Sequence, residues 1–208
     1  MKYLLSFLLL LFSIQHLTAQ KILQITKQYY RYDPFKSSFS FFIENLTNDP
    51  ALSEKNVLKI TDTTLFFFEG LYKYHSPFSY KTEKTKVLLA QQEISLDTTI
   101  EENFSVFVYQ IVGYALPGVD GEKNVKAEYD RFRRKYSKGF SGTETKKFEN
   151  RNNKYGEVCE FRYGDLKFNP VSVAWSSGKN KTENFFVVTI RFIIVEGYAY
   201  LPIPANGP

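Results

Sequence analysis

Phe104–Leu116 reads FSVFVYQIVGYAL, and Asp120–Tyr136 reads DGEKNVKAEYDRFRRKY, with Pro117-Gly118-Val119 between them. The two segments carry different periods. In the first, Val106, Val108 and Val112 oppose Phe107, Tyr109 and Ile111, so both faces are apolar. That pattern belongs to a central strand, buried on both sides. In the second, Val125, Tyr129, Phe132 and Tyr136 recur at spacings of four, three and four. This is one face of a helix. Asp120 stands where an N-cap belongs and Gly139 where a C-cap belongs.

Upstream, Asp33-Pro34 reads as the cap and first residue of another helix. Phe35, Phe39, Phe42 and Leu46 then form its apolar face, and Asn48-Asp49-Pro50 stops it. The second Asp-Pro suggests one further short turn, to about Lys55. Ile22–Tyr32 alternates loosely and suits an edge strand. Val57–Ile60, Leu65–His75 and Val87–Ile94 read as strands. Downstream, Ser137–Lys154 is polar and reads as a loop. Strands return at Glu157–Tyr163, Val171–Trp175 and Phe185–Val195, and Tyr198–Pro208, with three prolines, should be extended. No internal repeat is visible. Strands come in runs separated by helices, which predicts an α+β fold. Its expected form is an antiparallel β-rich sheet or sandwich with two main helices, about 34–47 and 121–137.

The first twenty residues read as an address. Lys2 is followed by an apolar run, Leu4–Ile14, broken only by Ser6 and Ser13, and then by Leu17-Thr18-Ala19-Gln20. A basic start, a short apolar core and a small-residue exit make a secretory signal peptide, 1–20, of bacterial type. The apolar run is too short to span a bilayer, which takes ~20 apolar residues. The expected product is one exported, soluble domain, 21–208, periplasmic or extracellular, with no integral membrane segment. Without Lys2, the 27 cations of the whole chain become 26 against 22 acids, a charge of +4. His75 is then the one histidine, because His16 lies in the signal.

A single Cys excludes a disulfide framework, and two His with one Cys exclude the usual zinc and iron–sulfur sites. No metal and no cofactor is expected. Cys159, in a strand without an elbow or a helix N-terminus beside it, reads as a buried inert thiol rather than half of a dyad with His75. Arg131, Arg133, Arg134, Lys135 and Lys138 read as a solvated helix end. There cations complement the dipole and pair with neighbours, Asp130 with Arg134 and Glu122 with Lys126. Lys138-Gly139-Phe140 echoes the start of an RNA-recognition strand, but Ser141-Gly142 departs from it at once, so nucleic acid is not an expected partner.

The chemical lead is the aromatic excess, 17% of the chain. Tyr29, Tyr30 and Tyr32 cluster in one segment, and Tyr72, Tyr74, Phe78 and Tyr80 in another. Tyr rings joined to a hydroxyl make good recognition surfaces. Tyr72, Tyr74 and His75 are therefore the candidate binding residues, with Trp175 as a further candidate from another strand. The expected function is non-catalytic: binding, or a structural role, in the cell envelope, through an aromatic surface that recognises a protein or a glycan. The alternatives are an envelope hydrolase acting on glycan or peptide, built around His75, and an inhibitor or immunity-type protein.

Overall fold

The computed structural model of the chain describes residues 19–60, 65–95, 103–116, 118, 120–149, 155–164, 168–179 and 184–195. Residues 1–18 of the expected signal peptide 1–20, and the residues from 196 on, with the expected extended tail, lie outside them. Residues 19–29 are helical (α1). Then come α2 (Phe39–Asn48), β1 (Leu52–Ile60), β2 (Leu65–Tyr72), β3 (Thr82–Ser95) and β4 (Asn103–Ala115). They are followed by α3 (Asp120–Tyr136), a 3-10 turn at Ser137–Gly139, β5 (Gly142–Glu149), β6 (Tyr155–Arg162), β7 (Val171–Lys179) and β8 (Asn184–Ile194). All eight strands form one antiparallel sheet in the order β1-β2-β3-β4-β8-β7-β6-β5. The fold is α+β, and the β layer is a single sheet, not a sandwich.

The order is a palindrome about the β4–β8 seam. Each half is a helix followed by a four-strand meander, α2 with β1–β4 and α3 with β5–β8. The topology repeats although no residue pattern does, because a meander constrains only which positions are apolar, not their identity.

The helices cover one face. On it, Phe68, Leu89, Tyr109, Phe192, Val171 and Phe161 form a row across six strands, each the register partner of the next. Val87, Ile111, Ile190, Val173 and Cys159 form the adjacent row, and both rows are fully buried. Val125, Tyr129, Phe132 and Tyr136 of α3 lie buried against them, the stripe that their spacing predicts. Strand β4 is central and buried on both faces, since Val106 and Val108 on the far side pack with Ile193, Phe168 and Val195. That far face is otherwise polar over β5–β8, where Glu144, Lys146, Glu160, Arg162 and Arg191 form a chain of ion pairs.

Six expectations are corrected. The segment expected as an edge strand, Ile22–Tyr32, is helical through residue 29, because Ile22, Ile25 and Tyr29 are three and four apart and all point into the core. The second helix starts at Phe39, not at Pro34. Asp33 Oδ1 accepts from Phe35 N–H at 3.0 Å in a local turn, and Ser38 makes the true cap by accepting from Phe41 N–H. No turn of helix follows Pro50, since Asp49 Oδ1 accepts from Ala51 N–H at 2.8 Å and β1 begins at Leu52. The polar stretch expected as a loop contains β5, an edge strand whose charges suit a sheet margin. Asp130 pairs with Arg133 rather than Arg134, which is exposed and makes no ion pair among the described residues. Gly139 does not act as a left-handed cap; a Cβ there would fall 1.9 Å from Lys21 Cγ, so it lets α1 and the end of α3 approach.

Among the described residues, no helix is long and apolar enough to cross a membrane.

Candidate binding groove

Strand pairing scatters the four candidate residues. Tyr72, Thr85, Gly113, Val188 and Trp175 form one row on the helix-covered face, each the register partner of the next. Tyr72 and Trp175 are thus four strand spacings apart, roughly 19 Å. Trp175 is buried, with the Lys126 ammonium 4.4 Å above its ring and Tyr155 edge-on at 5.9 Å. Tyr72 is also buried, and burial pushes its phenol up, the Asp49 charge adding to the effect. His75 is half-buried, edge-on to Tyr72 at 5.0 Å, with Nε2 3.3 Å from the Tyr29 carbonyl oxygen. Only Tyr74 is displayed, at 91% exposure. Tyr72 and His75 are brought together, Tyr74 projects away from them, and Trp175 is elsewhere.

The rest of this loop is packing. Phe78 is buried, and a Cβ on Gly113 would lie 2.6 Å from its ring. Tyr80 donates to the Gly113 carbonyl at 2.8 Å. Ser79 donates from both N–H and Oγ to Glu128, a fully buried carboxylate of α3 that also accepts from Tyr29 and Arg131. Burial alone would raise the Glu128 carboxyl; the hydrogen bonds from Arg131 and Ser79 outweigh it and hold the group below its usual range. Cys159 is buried on β6, five strands from β2, its thiol pushed up by burial. It therefore forms no dyad with His75, whose ring nitrogen meets the Tyr29 carbonyl. Among the described residues, no group of three or more His, Cys, Asp or Glu could hold a metal ion.

The concavity lies at the other tyrosine cluster. After α1 the chain turns, and Tyr30 drops into the seam of the sheet. Its hydroxyl donates to the Ile190 carbonyl at 2.7 Å on β8 and lies 3.2 Å from the Tyr109 carbonyl on β4. Its ring packs on Tyr109 at 4.4 Å and Phe192 at 5.3 Å. Phe42 of α2 meets Tyr109 from the other side at 5.2 Å. Residues 30–37 lie between α1 and α2 along the chain. A cavity of about 480 Å³ remains, lined by Thr26, Lys27, Tyr30, Arg31, Tyr32, Asp33, Lys36, Ser37, Phe41, Phe42 and Asn45. Its volume falls in the range of small-molecule sites, ~300–1,000 Å³.

The lining divides into two characters. Tyr30 and Phe42 make a buried aromatic floor, and Phe41, 54% exposed, stands on the rim. Lys27, Arg31 and Lys36 supply three cations against one acid, Asp33. Arg31 is oriented from beneath: its Nε lies 3.2 Å from Oδ2 of Asp49, a carboxylate with no exposed side-chain surface. That contact is an ion pair without hydrogen-bond geometry, since Asp49 Oδ2 meets no donor in line. Lys27 and Lys36 are exposed and make no ion pair among the described residues.

No protein-family model, no curated protein and no solved structure matches this chain. The run Tyr29-Tyr30-Arg31-Tyr32-Asp33-Pro34 was the available signal for the groove. Misread as a strand, its Tyr residues could not be divided into core anchors and groove lining, and Lys27, Arg31 and Lys36 had no common face.

Proposed function

We propose that this protein is a non-catalytic binding protein, exported to the cell envelope, that takes a glycan or protein partner into the groove between α1 and α2. The observation that carries the reading is the groove itself: an aromatic floor, an exposed aromatic rim and three cations around a cavity of about 480 Å³. Concave sites with an apolar lining and a few directed polar groups are the common form of ligand sites. The contacts of His75 favour binding over hydrolysis, because its ring meets a tyrosine edge and a backbone carbonyl rather than a carboxylate. The basic-apolar-small pattern of residues 1–20 supports export.

The test compares two aromatic surfaces. Phe41→Ala removes the groove rim, and Tyr74→Ala removes the exposed ring of the loop after β2. Each variant and the parent protein is applied to an array of envelope glycan fragments and peptides. Loss of binding in Phe41→Ala, with Tyr74→Ala unchanged, supports the groove. The reverse result transfers the function to the Tyr74 loop. Retention of all binding by both variants refutes an aromatic recognition surface of either kind.

A further inference from the structure

We infer that the groove selects an anionic saccharide, with a carboxylate or phosphate held by Arg31, Lys27 and Lys36 and a sugar ring laid against Phe41. The inference rests on the groove being the binding site and narrows what it takes.

Three observations point to it. The first is charge: three cations and one acid line the cavity, and Asp33 already spends Oδ1 on the Phe35 N–H. A cleft of one sign concentrates ligands of the other. The second is the construction of Arg31. Its Nε side is held by the buried Asp49, while the side chain stays 45% exposed at the groove. The ion pair keeps the guanidinium at the groove, where its exposed N–H groups offer a fork, the geometry that carboxylate and phosphate match. Lys27 and Lys36 add unpaired charge on either side of it in sequence. The third is the absence of a strand edge at this place. The cavity is walled by two helices and a turn, whereas both free edges of the sheet belong to β1 and β5. Extended peptides are commonly gripped by main-chain pairing to such an edge. A saccharide needs none: the C–H face of its ring packs on an aromatic, and its hydroxyls bond to side chains such as Asn45 and Ser37.

The experiment is calorimetric titration of the mature protein at low ionic strength with four probes. These are an oligogalacturonate, the matching neutral oligogalactoside, a hexose phosphate and inorganic phosphate. The expected result is that one or both anionic sugars bind at least ~10-fold more tightly than the neutral sugar, weakening as salt is raised. The two anionic arms decide between carboxylate and phosphate as the recognised group, and inorganic phosphate should bind more weakly than either sugar that is accepted. Arg31→Gln should remove the preference but leaves Asp49 buried without its partner, so folding is checked by circular dichroism. The decisive variant is the double change Lys27→Gln, Lys36→Gln, since both residues are exposed and unpaired. It should cut the preference for the anionic sugar about 5- to 10-fold.

Equal binding of charged and neutral sugars, unaffected by the lysine changes but abolished by Phe41→Ala, overturns the anionic selection and leaves the groove intact as the site. Tighter binding of inorganic phosphate alone overturns the saccharide part. Binding that survives both Phe41→Ala and the lysine changes places recognition elsewhere and overturns the groove with it.

Discussion

Glu128 illustrates how a single buried charge is made stable. Its carboxylate has no exposed surface and collects donors from three places: Tyr29 of α1, Ser79 of the loop after β2, and Arg131 one turn along α3. A buried charge is tolerable only when fully bonded, and its donors in turn depend on it. Glu128→Ala leaves the Tyr29 and Ser79 donors without their acceptor and should lower stability by about 1–3 kcal/mol in urea denaturation at pH 7. The pH dependence has a definite sign. The folded carboxyl is held below its ordinary value of 4.5, so the unfolded chain binds the proton more readily. The stabilisation is present above that value and is lost as pH falls through the lower, folded one. Glu128→Gln should flatten the acid limb of the stability–pH curve; an unchanged limb would mean that other carboxylates carry it. Gly113 is the second residue-scale case. A methyl group there would meet the Phe78 ring at 2.6 Å and the Tyr80 hydroxyl at 2.8 Å. Gly113→Ala must push the covering loop off β4, with an expected cost of about 1–3 kcal/mol, typical of overpacking. A melting temperature equal to the parent's would show that the loop yields freely.

Among the elements, α3 is legible because one helical period holds over a dozen residues, and β4 because its apolar run covers both faces of a strand. For α3 the face can be tested directly. Phe132 is fully buried, with Tyr136 at 4.7 Å and Phe161 at 5.6 Å. Phe132→Ala should cost about 3–5 kcal/mol. Arg134, exposed and without an ion pair among the described residues, should tolerate Ala within about 0.5 kcal/mol. Comparable losses from the two changes would contradict the assigned face. Helix α1 reads as a strand because Leu23 and Ile25 alternate with Gln24 and Thr26, and a short segment allows both readings. The deciding residue is Ile22, which breaks the alternation beside Leu23 and completes the helical stripe of Ile22, Ile25 and Tyr29. Strand β5 was missed for the opposite reason. Thr143, Glu144, Lys146 and Lys147 are nearly all exposed, so an edge strand over a polar margin leaves no apolar signature. The groove inherits the first error. Its lining joins side chains of α1, the 30–37 turn and α2, and these share a surface only once α1 is a helix. Tyr72, Tyr74 and His75 stand out in the sequence by local density of Tyr and His, and Trp175 only as an aromatic on another strand. Local density cannot distinguish a ring facing the core, as Tyr72 does, from one facing water, as Tyr74 does.

At the scale of the whole molecule, the two meanders meet only edge to edge, through the β4–β8 ladder. What joins them into one core is the helical layer, and α1 lies directly over the seam. Tyr30, at its end, reaches carbonyl groups of both β4 and β8, and Tyr29 packs on Phe132 of α3 and on Phe78 of the loop after β2. This bears on processing. The expected cleavage after Ala19 would leave residues 20–29 on the protein, whereas trimming eleven residues further, to Arg31, removes the whole buried stripe. Ile22, Ile25 and Tyr29 are each fully buried. At about 1.5–3 kcal/mol per buried apolar side chain, their loss amounts to roughly 5–9 kcal/mol. A domain of this kind is stable by only about 5–15 kcal/mol, so the shortened chain should lack a cooperative folded state. A protein beginning at Gln20 should melt in one sharp transition, and one beginning at Arg31 should show a broad, low-temperature transition and bind a hydrophobic dye. The groove loses a wall in the same step, so ligand binding should vanish together with the transition. An Arg31-start protein that melts like the Gln20-start form would show that the sheet closes its own seam and that α1 serves the groove alone.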